Sequence, residues 1–207
     1  MRTLIILSLL ILVSITAGAH PACAVNVALG SNGAVAIADS EYGTQNAANA
    51  IDGKWVGPAD PPDANRWHAA VSKDHPHWIW VKFREPARIS RVVVRRTDLS
   101  GYPVDFVGEC SMDGGLTFET LFTVTDNRMD AETSTVEQSF APVVTDNFRL
   151  RIERSSNMQH PEYAQISELE VHGEFVGEGA MPAETAEVES PMKPVLMPTR
   201  EENVRIV

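Results

Sequence analysis

Apolar residues recur at a spacing of two along most of this chain, which is the period of a half-buried strand. Phe148, Leu150 and Ile152 alternate with Arg149, Arg151 and Glu153, so that run has one apolar and one charged face. A denser run, Trp78 to Phe83, opens the first main strand. In REPARISRVVVRRTD neither alternate set of residues, Arg88, Ser90, Val92, Val94, Arg96 or Ile89, Arg91, Val93, Arg95, is cleanly polar. That pattern predicts an interior strand with arginines emerging at its ends. VDFVGECSM runs into Asp113, Gly114 and Gly115 and returns as TFETLFTV, a hairpin signal. VEQSF, NFRLRIERS and ISELEVHGEF read as further strands between the polar loops TDNRMDAETST and SSNMQHPEYAQ. At the start, VNVALGSNGAVAIADSEYG offers two short runs broken by Gly30, Asn32 and Gly33, suited to an opening strand pair. Asn46 to Ile51 predicts one helical turn, stopped at Gly53 because glycine accepts positive φ at little cost. Short strands at regular spacing with Gly/Pro/Asp-rich turns define an all-β sandwich rather than a parallel α/β sheet.

The two ends differ from this middle. Arg2 precedes an apolar run from Leu4 to Ile15, and Ala22 and Ala24 form an A-x-A cleavage pattern, so residues 1–24 are expected to be a signal peptide and the product secreted. The run is short for a membrane span, and no transmembrane anchor is expected in the mature chain. A cut after Ala19 would retain Cys23, but His20, Pro21 and Ala22 lack the leucine of a lipoprotein signal. Export leads to the periplasm, the cell surface or the medium. Residues 25–175 make one domain, and 176–207 form an acidic, proline-rich tail with no aromatics after Phe175. Such a stretch is expected to be disordered because it cannot bury enough apolar surface to offset ordering; Val204, Ile206 and Val207 are the residues with which it would dock on a partner.

Charge and cysteine narrow the chemistry. The formal net charge is −11, and loss of Arg2 makes it −12. An acidic chain of this kind lacks the basic surface needed for nucleic acid or an anionic membrane, while neutral ligands and divalent cations stay open. Only Cys110 survives cleavage at Ala24, so no internal disulfide forms, and Cys110 reads as a buried small hydrophobe. All four tryptophans, Trp55, Trp67, Trp78 and Trp80, lie between Asn46 and Phe83. In the same stretch Asp60, Asp63 and Asn65 follow Asp52 within a loop stiffened by Pro58, Pro61 and Pro62, so several oxygens converge as a hard cation requires. His75 and His77 are two apart, but Pro76 between them and the lack of a matched second pair argue against zinc. No G-x-S-x-G, H-E-x-x-H or phosphate loop is present, and a non-catalytic chain is expected.

NVALGSNG, NAIDGKW, NRWHA, PHWIWVKF, ISRVVVRRTD, YPVDFVGECSMDGG, FRLRI and ISELEVHG occur in this order from Val25 to Gly173. The series resembles the discoidin, or coagulation factor 5/8 type C, domain, whose bacterial relatives include family 32 carbohydrate-binding modules. The resemblance implies a discoidin-like jelly-roll β-sandwich with ligand-binding loops at one end. It also implies a structural calcium ion (Ca2+) held by Asp52 and Glu168, with backbone oxygens near Asn49, Asn65 and Ile166. Position 65 departs from the family's usual threonine or serine. For a sugar, the resemblance points to Arg96 at the end of its strand, with Asp98 and Tyr102 in the following turn, although the asparagine that usually follows that arginine is absent from LSGYP. Trp55, His68, Asn157, His160 and Tyr163 are candidates on neighbouring loops, Trp55 and Tyr163 being the better stacking plates. Trp67, Trp78 and Trp80 read as packing. Two functions follow: binding of a carbohydrate or another cell-surface or matrix ligand, or a structural or protein-protein adhesion role without a glycan.

Overall fold

The computed structural model describes residues 24–55, 65–96, 100–129, 134–157, 159–160 and 162–177. The signal-peptide stretch, the loop with Asp60 and Asp63, Asp98 and the acidic tail lie outside the described residues. Nine strands run in order: β1 Val25–Asn26, β2 Val35–Ala38, β3 Trp67–His68, β4 His77–Arg95, β5 Pro103–Ser111, β6 Glu119–Val124, β7 Thr135–Ser155, β8 Gln165–Ile166 and β9 Glu168–Phe175. Among the described residues the only helices are the 3-10 turns Gly30–Asn32 and Ala47–Ile51, and no helix is long and apolar enough to cross a membrane.

The main sheet has the order β1-β9-β4-β7-β5-β6, with β2 paired to β4 beside this path, and β3 and β8 form a separate two-stranded piece. All pairs are antiparallel. The expected Trp78–Phe83 strand and its successor are one strand, β4, broken in register between Lys82 and Ala87. The physical reason is local: Pro86 offers no backbone donor to the ladder, and the pairing resumes beyond it. VEQSF and NFRLRIERS fuse likewise into β7. The first half of β4 pairs with β2 and the second half with β9, while β7 runs along both. These two long strands therefore connect the two layers of the sandwich. The opening pair expected near the N-terminus does not form, because β1 bonds to β9 and β2 to β4.

Alternation places the core. Ile79, Val81 and Phe83 of β4 lie beside Phe148, Leu150 and Ile152 of β7 on the interior face, joined by Phe106, Ile89, Val92, Val94, Leu169 and Val171. Burial of each such side chain contributes roughly 1.5–3 kcal/mol. On the opposite face Trp80 donates to Asn147 Oδ1 at 3.0 Å and meets Phe118 edge-on. Its ring lies 2.3 Å from where Gly115 would carry a Cβ, and Gly115 has φ +97°, so the hairpin expected at Asp113–Gly115 needs glycine there for both conformation and space. Trp67 is fully buried, whereas Trp78 and Trp80 are half-buried. Cys110 is buried, and burial pushes its thiol up to about 11, which leaves it unreactive near neutral pH.

Candidate functional site

The 3-10 turn Ala47–Ile51 ends at Asp52, and Gly53 follows with φ +78°. This reversal turns the Gly53 N–H towards Glu168 Oε1, to which it donates at 3.1 Å. Glu168 begins β9 and pairs with Arg95 of β4. Its side chain is 2% exposed, and Oε2 has no hydrogen-bond partner among the described residues. Burial, reinforced by the charges of Asp52 and Glu170, pushes the carboxyl up to about 8 against the stabilising Gly53 N–H. Asp52 Oδ1 accepts from Lys54 N at 2.9 Å, and Oδ2 accepts from Asn65 Nδ2 at 2.6 Å. Asn49 Nδ2 donates to the carbonyls of Thr44 and Arg66 at 3.1 and 3.0 Å, so its side chain ties the turn to the segment after the loop. Ile166 is buried and pairs with Trp67.

One corner thus holds Asp52, Asn65 and Glu168, with Asn49 and Ile166 on the elements that support it. A buried carboxylate with an unbonded oxygen beside a second acid is satisfied by a proton or by a cation. Among the described residues no group of three or more His, Cys, Asp or Glu could hold a metal. A cation here would therefore complete its shell from backbone and amide oxygens, which suits a hard ion such as calcium.

A second cluster is built around His68 of the β3–β8 pair. His68 stands opposite Gln165, is buried, and donates from Nδ1 to the Ala69 carbonyl at 2.6 Å. Tyr42 and Tyr163 flank its ring at 5.4 and 5.1 Å, and His160 stacks on Tyr163 at 4.7 Å and 14°. Tyr42 is 52% exposed, His160 is exposed and Tyr163 half-buried. Asn157 Oδ1 accepts the N–H groups of Gln159 and His160, while its Nδ2 donates to Ser100 Oγ at 2.9 Å. The asparagine therefore shapes the loop that carries the stack. Aromatic faces beside Glu162 and histidine groups provide what a pyranose needs: a plate for its apolar face and acceptors or donors for its hydroxyls.

Other expected readers of a ligand have different places. Arg96 is 1% exposed, so its guanidinium is enclosed rather than at a solvated strand end. Tyr102 is buried against Val104 and Met129, and its hydroxyl donates to the Met129 carbonyl at 3.2 Å and accepts the Met129 N–H at 3.1 Å. Both requirements of a buried tyrosine hydroxyl are met internally, which removes Tyr102 from the ligand set. Trp55 is half-exposed, but the Arg95 guanidinium lies 4.9 Å from its ring centroid and its Nε1 donates to the Arg96 carbonyl at 3.4 Å. One face of that plate is already occupied. His77 is enclosed by Asp39 Oδ2 at 2.9 Å and the Glu162 carbonyl at 2.8 Å, with His75 edge-on at 4.7 Å, an arrangement that spends both ring nitrogens without a metal. His172 bonds to Glu170 Oε2 at 2.8 Å.

Tyr42 and Asp39 were not singled out by the sequence. Asp39 follows β2 and accepts His77 Nδ1, Lys73 Nζ and the Trp78 N–H at 2.8–2.9 Å. Burial opposes its charge, but these bonds hold the carboxyl down at about 2. The acid after the alternating VAIA run was the available signal. Tyr42 carried only its position in a polar loop.

The fold is a galactose-binding-like jelly roll, a β-sandwich whose connecting segments carry the polar and aromatic clusters. The F5/8 type C domain model matches residues 34–169, and the chain belongs to that family. No curated protein matches the chain. Among solved structures it is similar to the Clostridium perfringens module CpGH89CBM32-5 in complex with GalNAc-β-1,3-galactose, at 19% identity and TM-score 0.57 over 70% of this chain and 97% of that one. It is also similar to the family 32 carbohydrate-binding module of Clostridium perfringens NanJ in complex with galactose, at 19% identity and TM-score 0.54 over 72% and 98%. A third is chitosan-binding module 2 of a Paenibacillus sp. IK-5 chitosanase/glucanase in complex with chitotriose, at 22% identity and TM-score 0.55 over 70% and 98%.

Proposed function

We propose that this chain is a secreted, non-catalytic carbohydrate-binding domain that takes a glycan on the Tyr42, His68, Tyr163 and His160 cluster at its loop end. The observation that carries this reading is the His160–Tyr163 stack beside the exposed Tyr42. The solved structures of like fold support it, since they are complexes with galactose, GalNAc-β-1,3-galactose and chitotriose. The domain's contribution is to bind and orient; single-site affinity is expected to be modest, so attachment to a multivalent surface would gain from avidity. A calcium ion fits the Asp52–Glu168 corner because Glu168 Oε2 is buried and unbonded beside a second acid. Asp52 and Glu168 would hold it with carbonyl oxygens near Asn49, Asn65 and Ile166, clipping the first loop to the last strand.

A glycan-array screen of the protein with calcium and with chelator tests the reading. Specific spots that vanish in Tyr163→Ala and Tyr42→Ala, with unchanged melting curves, are the expected result. A blank array from a folded protein would overturn it in favour of a structural or protein-binding role. Burial of Arg96 and Tyr102, the readers implied by the family resemblance, is the observation on the side of that second reading.

A further inference from the structure

β2 is an edge strand. Its residues Val35–Ala38 pair with Ile79–Lys82 of β4, and no other strand among the described residues joins it. Edges of this kind display unpaired backbone groups and are ordinarily blunted by charge, proline or a covering segment. Val35-Ala36-Ile37-Ala38 contains neither charge nor proline, and Val35 and Ile37 are 63% and 48% exposed. Both sides of the edge are hollowed. On the core side Gly30, Ala34, Ala36, Ala48, Ile51 and Asp52 line a cavity of about 380 Å³. On the outer side Val35 and Ile37, with Trp80 and Lys82 of β4, line another of about 290 Å³. Successive side chains of an added strand point to opposite faces, so an open ladder between two apolar hollows is the form that strand addition requires.

The chain carries a suitable occupant. Where the described residues end, at Gly177, they stand close to the head of β2. The Val176 N–H donates to the Pro86 carbonyl at 3.0 Å, the Arg84 guanidinium lies 4.3 Å from the Phe175 ring centroid, and Arg84 Cβ sits 3.1 Å from where Gly33 would carry a Cβ. The 26 residues between Gly177 and Val204 reach up to roughly 90 Å when extended, far more than the path needs. A link of this length also holds Asn203–Val207 at an effective concentration on the order of millimolar, which favours this segment of the same chain over a second copy in dilute solution. Val204, Ile206 and Val207 are three of the last four residues and are β-branched, as strands prefer. The other apolar run, Val195–Met197, is closed in by Pro194 and Pro198, which offer no ladder donors.

We propose that Asn203–Val207 adds to the open edge of β2 as a further strand, with Val204 and Ile206 entering the core-side cavity and Arg205 directed to solvent. Residue-resolved amide hydrogen exchange on the full chain tests this against two variants, Val204→Asp/Ile206→Asp and a chain ending at Gly177. In the full chain, the β2 amides that β4 leaves free should exchange at least about tenfold more slowly than in either variant, at every protein concentration. The β4 amides should stay equally protected in all three, which shows that the variants fold. Equal β2 exchange in all three would overturn the proposal. So would protection that grows with protein concentration alongside a dimer mass, since the occupant would then be a second copy.

Discussion

In metal-free protein Glu168 is a buried acid held at about 8 instead of its ordinary 4.5, because burial opposes its charge and Asp52 and Glu170 repel it. The folded state therefore binds this proton more tightly than the unfolded chain does. Its contribution to stability is complete below about pH 4.5, declines as pH rises and is gone above about pH 8. The whole window corresponds to about 4–5 kcal/mol, of which ~3 kcal/mol has been lost at pH 7. Glu168→Gln keeps the shape and the oxygen that accepts the Gly53 N–H, but it cannot ionise. In chelator at pH 8 the variant should consequently be more stable than the parent by several kcal/mol, and the two should converge near pH 4.5. With calcium the gap should narrow, because the parent gains about 2.7 kcal/mol at a hundredfold excess over Kd, against a deficit of ~4 kcal/mol at pH 8, and the variant has lost a charged ligand. Urea midpoints followed by tryptophan fluorescence at pH 5, 7 and 8.5, with calcium and with chelator, measure both effects. A Gln variant less stable than the parent in chelator at pH 8 would refute the buried-acid argument. A variant that keeps the full calcium shift would refute Glu168 as a ligand.

Asp39 should show the opposite pH dependence. Held down at about 2 by His77, Lys73 and the Trp78 N–H despite burial, it contributes about 2 kcal/mol that is present above about pH 4 and lost as pH falls towards 2; Asp39→Asn should flatten the acid limb of an unfolding-versus-pH curve. Leu150→Ala, at a fully buried position of β7, should cost about 2–5 kcal/mol in urea unfolding, whereas Arg151→Ala on the outer face should cost about 1 kcal/mol or less. Tyr102→Phe removes both hydroxyl bonds to Met129 and should lower stability by about 1–2 kcal/mol with no change in glycan binding measured by calorimetry, while Tyr163→Ala should abolish that binding and leave the unfolding midpoint within about 1 kcal/mol.

The strands were legible wherever one face is apolar and the other charged. Phe148, Leu150 and Ile152 against Arg149, Arg151 and Glu153 fixed both the existence of β7 and its inner face, and the structure buries the first set. Hairpin chemistry was equally plain at Asp113–Gly115, where Asp113 accepts Thr117 N at 2.9 Å and Gly115 takes a positive φ. What the pattern could not convey was continuity. A break in periodicity at Arg84–Glu85–Pro86 looks the same in sequence whether the strand ends or merely slips register, and only the resumed pairing of Ala87 with Thr145 decides it. The same holds for β1 and β2, which are near in sequence but bond to β9 and β4 because those strands offer the open ladders.

Site residues were legible as chemistry but not as exposure. Glu168 and Asp52 are 116 positions apart and meet only because β9 begins where the turn at Gly53 ends, as the Gly53 N–H bond to Glu168 makes plain. Arg96 and Tyr102 were implied as ligand readers by the family resemblance, yet both are buried, and the Tyr102 hydroxyl spends its hydrogen bonds on Met129. Tyr42 carried no distinguishing pattern and gained its place from the bridge to Gln45, which is itself held by the His68 N–H. The common cause is that the sandwich sets its strands by burial, a property of alternate residues that sequence displays. Its loop end is set by a few long-range hydrogen bonds, and these depend on which segments the strands bring together. A loop-end residue is therefore identified by the neighbour that fixes it: Asn157 by Ser100, Asn65 by Asp52, and Tyr163 by His68 and His160. By that measure the aromatic cluster is the surface on which the proposed glycan binding rests, because its rings are positioned by contacts among themselves while Tyr42 and His160 stay exposed.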